Sequence, residues 1–162
     1  MRRLAIFVEG QTERLFLVRL IHEITGDKNI SIDEERATRG RQFETINAYR
    51  SNDETKYYIL LRDCRSDSAV KSCILEAVEK MAKANYERIL GVLDVYPKKH
   101  NDIPDFDRGL KYKVPTKFIP IKFILAIMET ESLKWLRFDG HSEAQRYFGK
   151  KECQHEKEAG AV

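Results

Sequence analysis

Leu4-Ala5-Ile6-Phe7-Val8, closed at once by Glu9-Gly10, is the stretch that decides the fold. A short unbroken apolar run stopped by an acid and a glycine reads as a strand buried on both faces, the kind found inside parallel sheets. Thr12 can cap a helix behind it, and Leu17, Leu20, Ile21 and Ile24 recur at helical spacing until Gly26 ends the pattern. The unit then repeats. Residues 57–61 (YYILL) form a second buried strand closed by Arg62-Asp63. Ser66 or Ser68 caps the helix after it, whose Val70, Cys73, Ile74, Ala77, Val78 and Met81 make the clearest amphipathic stripe in the chain. Residues 89–93 (ILGVL) form a third such strand, ending in Asp94.

Between and beyond these units the pattern is weaker. Residues 30–38 alternate as an edge strand would, and lead into the basic turn Arg39-Gly40-Arg41. A short helix is expected over 42–50. Residues 95–116 hold three of the four prolines and read as a long surface loop. Residues 118–128 supply a last strand, followed by a helix from Glu129 to about residue 138. Strand, helix and strand in alternation predict an α/β fold: a mostly parallel central sheet with helices on both faces, Rossmann-like in layout. One domain over residues 1–149 is expected, with a polar tail at 150–162.

Composition narrows the function. The chain has 162 residues, 42% hydrophobic and 34% charged, and a net charge of +3. That suits one domain able to bury a core without disulfides, and the small excess of base neither demands nor excludes nucleic acid. The apolar runs are too short and interrupted to span a bilayer, and MRRLAIFVEG lacks the apolar core of a secretory signal, so no membrane partner is expected. Cys64, Cys73 and Cys153 are odd in number and unrelated in spacing, which argues against a disulfide framework or zinc cluster and favours a reducing cytoplasm. No phosphate-cradling GxxxxGK[ST] motif is present.

Four apolar runs end in, or lead directly into, an acid: Glu9, Asp63, Asp94 and Glu129. Parallel strands bring their carboxyl ends to one edge of a sheet, where ligands bind in open α/β folds. Carboxylates gathered there repel one another unless a cation neutralises them, and a hard ion such as Mg²⁺ takes one or two carboxylates plus water and phosphate. Each acid alone is also what closes a turn or caps a helix, Asp63 above all. Basic groups ring the same region: Arg36, Arg39 and Arg41; Arg62 and Arg65 beside Asp63; Lys98, Lys99 and His100 after Asp94; then Lys111, Lys113 and Lys117. Such a rim suits a polyanion as well as it suits a solvated surface.

The segment Phe7-Val8-Glu9-Gly10-Gln11-Thr12-Glu13 resembles the first motif of the TOPRIM fold, and is closest to that of the overcoming-lysogenisation-defect nucleases and the small bacterial TOPRIM-like proteins of defence loci. Leu61-Arg62-Asp63-Cys64, Leu93-Asp94-Val95-Tyr96-Pro97 and 126–131 (AIMETE) resemble the later segments of that small group, in the same element order over about residues 3–136. The resemblance implies a Mg²⁺-dependent nuclease, with Mn²⁺ as a substitute ion, acting in anti-phage defence beside an ATPase partner, with a homo-oligomer as a further expectation. It gives Glu9 a role near the scissile phosphate and Asp94 the first aspartate of a metal-binding Asp-x-Asp. The second aspartate position holds Tyr96, so Asp63, Glu129 or Glu131 stand as replacement ligands. Arg39, Arg41, Arg62, Arg65, Lys98 and Lys99 are the expected nucleic-acid contacts. With no tyrosine matching the topoisomerase nucleophile, water is the expected attacking group. The Tyr96 departure equally fits a catalytically incomplete regulatory or binding subunit. A receiver-like phospho-acceptor domain ranks below both, because paired acids after the first strand and a terminal lysine are missing.

Overall fold

The computed structural model describes residues 1–39, 42–95 and 100–126, which belong to one compact unit, Met1–Met128. The boundary expected at 149, the tail and the helix expected from Glu129 lie outside the described residues. In chain order the elements are β1 (Arg2–Val8), α1 (Gln11–Thr25), β2 (Ile30–Ala37), β3 (Phe43–Arg50), β4 (Tyr57–Asp63), α2 (Asp67–Lys83), β5 (Arg88–Asp94), a short 3₁₀ turn (His100–Asp102), α3 (Ile103–Lys111) and β6 (Ile121–Ala126). They form an α/β fold with one six-stranded sheet, ordered β3-β2-β4-β1-β5-β6, in which only β3 runs antiparallel to its neighbour. Among the described residues no helix is long and apolar enough to cross a membrane.

Three expectations are corrected. Residues 42–50 are not helical: β3 pairs with β2 from Ala37↔Phe43 to Ser31↔Arg50, across a bulge at Glu34/Glu35. Phe43, Thr45, Ile46 and Tyr49 favour a pleated strand, and a hairpin partner one turn upstream decides the outcome. β2 is consequently an inner strand rather than an edge, since β3 takes the edge. Within 95–116 the prolines mislead: Pro104 sits in the first turn of α3, where its missing N–H costs nothing, and Leu110 is buried.

The direction of each crossover fixes where the helices lie. α1 carries the chain from β1 past β4 to β2, whereas α2 carries it the other way, from β4 past β1 to β5. Right-handed crossovers in opposite directions put their helices on opposite faces. The packing follows. Ile6, Val8, Ile59 and Leu61 meet Leu17, Val18 and Ile21 of α1, while Ala5, Phe7, Leu60 and Leu93 meet Val70, Ile74 and Val78 of α2. β1 and β4 are thus buried on both sides, as continuous apolar runs require. Gly91 is fixed by contact: a Cβ there would lie 2.7 Å from the Phe123 ring and 3.0 Å from Ile74 Cδ1.

Candidate functional site

β1 and β5 are parallel neighbours, in register from Leu4↔Arg88 to Val8↔Val92. Their outgoing connections diverge, α1 crossing one face towards β2 and α3 crossing the other towards β6. Divergence of adjacent connections opens a crevice at the carboxyl ends of the two strands. Glu9 leaves β1 into that crevice and Asp94 ends β5 beside it, and the Asp94 N–H donates to Glu9 Oε2 at 3.2 Å.

The charge around Glu9 comes from three other places in the chain. Burial pushes its carboxyl above the usual range, the Asp94 N–H opposes this, and the carboxylates of Glu13, Asp94 and Asp67 push it up further. Glu13 lies in the first turn of α1 and Asp67 begins α2, so both helices deliver an acid to the sheet edge from which they start. Gly10 is the N-cap of α1, with no side-chain cap bond. It leaves room for Glu13, whose Oε2 would lie 3.3 Å from a Cβ at that position.

Carboxylates gathered at one sheet edge could hold a hard cation. Among the described residues no group of three or more His, Cys, Asp or Glu side chains is arranged to hold a metal ion. Calcium cages and structural zinc sites need at least that many ligands, whereas Mg²⁺ keeps several waters and binds through one or two carboxylates with substrate phosphate. Glu9 and Asp94 fit the last description.

The other expected residues divide. Asp63, at the end of β4, is 2% exposed and has both oxygens engaged: Oδ1 accepts the Arg65 N–H at 2.9 Å and Oδ2 accepts Arg36 Nε at 3.2 Å. It closes the strand and holds the turn in which Arg65 adopts φ 66°. Arg62 points to the α2 side of the sheet, where it donates to Glu35 Oε2 at 2.7 Å and stacks 4.5 Å from the Phe43 ring centroid. It is a clamp between strands rather than part of the rim. Arg39 and Arg65 are exposed after β2 and β4, at the edge that carries Glu9. Arg41, Tyr96, Lys98, Lys99, Glu129 and Glu131 lie outside the described residues.

The chain matches no family model, no curated protein and no solved structure. The chemistry of the crevice is therefore read from its own residues. Asp67 was missed in the sequence because it looked like part of a helix-start run, Ser66-Asp67-Ser68. Its signal was positional: the first residue of a helix that follows a parallel strand lies at the same edge as the strand end. Glu13, one helical turn past Glu9, is legible in the sequence as a further member of the acidic cluster.

Proposed function

We propose that this chain is a Mg²⁺-dependent nuclease of TOPRIM type that hydrolyses nucleic-acid phosphodiester bonds in the cytoplasm, as the effector of an anti-phage defence system with an ATPase partner. The observation that carries the catalytic part is the contact of Glu9 with the Asp94 backbone across the β1/β5 crevice, inside the field of Glu13 and Asp67. The defence and ATPase parts rest on the TOPRIM resemblance alone.

Glu9 and Asp94 would hold the ion, which when bound neutralises charge on the scissile phosphate and the departing oxygen. The Asp94 N–H fixes one oxygen of Glu9, and the second would serve either the ion or, as general base, the attacking water. Without the ion, burial and the neighbouring acids raise the Glu9 carboxyl above its ordinary range, and a bound cation would lower it again. Asp94 supplies negative charge from the neighbouring strand. Arg39 and Arg65, exposed on the β2 and β4 side of the same edge, suit the flanking phosphates.

A catalytically incomplete binding or regulatory subunit is the second reading. It is favoured by Asp63, whose oxygens are occupied by Arg36 and the Arg65 N–H, and by tyrosine in the second-motif position. Incubation with single- and double-stranded DNA and RNA in Mg²⁺ or Mn²⁺ separates the two. The first reading expects cleavage that falls by at least about 100-fold in Glu9→Gln and Asp94→Asn, both still folded by circular dichroism. Cleavage that survives both substitutions would overturn it. No Mg²⁺ binding by calorimetry, together with a stable protein complex, would favour the second.

A further inference from the structure

The cations that follow α3 lead away from the crevice. Residues 108–120 hold Arg108, Lys111, Lys113 and Lys117 and no acid. They carry the chain from α3 to β6, whose Ile121 pairs with Ile89 at the start of β5, and the Ile89 N–H donates to the Pro120 carbonyl at 3.0 Å. Because β6 is parallel to β5, Lys117 and Phe118 lie by the amino ends of the strands, the edge opposite Glu9 and Asp94. The same segment leaves two aromatic rings in solvent: Tyr112 is 64% exposed and Phe118 is 41% exposed.

The backbone beneath these rings is anchored. Leu110 and Ile119 are buried and Val114 packs on the same core, while Lys71 Nζ reaches from α2 to the carbonyls of Gly109 at 2.6 Å and Tyr112 at 2.8 Å. Each ring carries an ammonium. Lys113 Nζ lies 5.2 Å from the Tyr112 ring centroid, and Lys117 Nζ lies 4.8 Å from that of Phe118. Among the described residues neither lysine makes an ion pair, whereas Arg108 is held by Asp105 at 3.0 Å and Lys111 by Asp107 at 2.5 Å. Lys113 also takes φ 56°, a backbone better suited to glycine, so the turn itself does not call for a lysine. We propose that this segment is a docking surface for single-stranded nucleic acid, with Tyr112 and Phe118 stacking on bases and Lys113 and Lys117 holding the adjoining phosphates.

The pairing of ring and cation selects the partner. A nucleotide joins a flat π-face to an anion, and an exposed ring joined to an ammonium is its complement. On binding, a base takes the ring face and the ammonium swings to the neighbouring phosphate, releasing counterions. Bases inside a duplex are already stacked on one another, so exposed rings reach them only after unpairing. An acidic peptide would satisfy the lysines but leave both rings in water. A bilayer surface favours a continuous apolar face rather than two rings each topped by a charge. The surface uses no metal and no residue of the crevice, so it does not depend on the hydrolase reading.

The test follows binding of the full chain to a labelled mixed-sequence DNA strand by fluorescence anisotropy, in EDTA so that no metal-dependent cleavage intervenes. The proposal expects the single strand to bind at least about tenfold more tightly than the duplex of the same sequence. Tyr112→Ala with Phe118→Ala, folded by circular dichroism, should weaken binding at least about tenfold, while Tyr112→Phe, which keeps the ring, should not. Lys113→Gln with Lys117→Gln should reduce the slope of log affinity against log salt by about 1.4. No binding at low salt, equal binding of strand and duplex, an affinity indifferent to the loss of both rings, or capture of phosphatidylserine vesicles without binding to the strand would each overturn it.

Discussion

At Glu9, burial and the carboxylates of Glu13, Asp94 and Asp67 favour the neutral acid, and only the Asp94 N–H favours the anion. The native carboxyl pKa is therefore above that of the unfolded chain, so the native state binds this proton more tightly. The stabilising contribution is complete below the unfolded value of about 4.3 and is lost as pH rises through the native value. Without divalent ions, Glu9→Gln should melt above the wild type at pH 7, with the gap closing as pH falls towards 4. Added Mg²⁺ should raise the wild-type melting temperature and leave the variant unmoved. A variant that melts lower at every pH would show that the Glu9 carboxylate is not destabilised in the fold. Beneath α1 a buried carboxylate is paired, although Arg14 Nε is buried without a hydrogen-bond partner. Arg14 Nη1 pairs with Glu34 Oε2, and Asn47 Nδ2 donates to Glu34 Oε1 at 2.7 Å; both charged residues are buried. Arg14→Met strands a buried carboxylate and should cost about 3–5 kcal/mol in urea unfolding. Arg14→Met with Glu34→Leu should recover part of that loss.

At the scale of elements, the buried strands and the two long helices were legible because each carries one strong periodic signal. β1, β4 and β5 are apolar runs of strand length, and α2 has an unbroken stripe from Val70 to Met81. β3 was not legible. Its residues alternate poorly because Ile46 falls at the bulge, and the strand is held by cross-strand partners: Asn47 on Glu34 and Tyr49 on Ile32. The bulge and the charges of Glu44 and Arg50 also blunt this edge against pairing with another chain. α3 was hidden by a proline that begins the helix. Gly91 is where the Phe123 ring and Ile74 close on the backbone of β5. Gly91→Ala should therefore destabilise by about 1–3 kcal/mol in chemical denaturation, as overpacking does, although alanine suits a strand better than glycine in the abstract.

Across the whole molecule, the opposed crossovers of α1 and α2 place the ends of β1 and β5 side by side. The sequence contained that edge as a row of acids after apolar runs, and the TOPRIM resemblance singled out Glu9 and Asp94 among them. It did not contain the sorting of the remaining charges. Asp63 already stood out as the most turn-like of the acids, and Arg36 seals it; Arg62, which resembles its basic neighbours, lies against Phe43. Only the register Arg36↔Asp63 and Glu35↔Arg62 between β2 and β4 separates them from the rim. Among the described residues, Arg39 and Arg65 follow β2 and β4, whereas Glu9 and Asp94 stand at the ends of β1 and β5. The most direct test of this arrangement is the anomalous difference map of a crystal soaked in Mn²⁺. A peak within coordination distance of both the Glu9 and Asp94 carboxylates is expected; a peak at Asp63 instead, or none at millimolar Mn²⁺, would contradict a cation shared by Glu9 and Asp94.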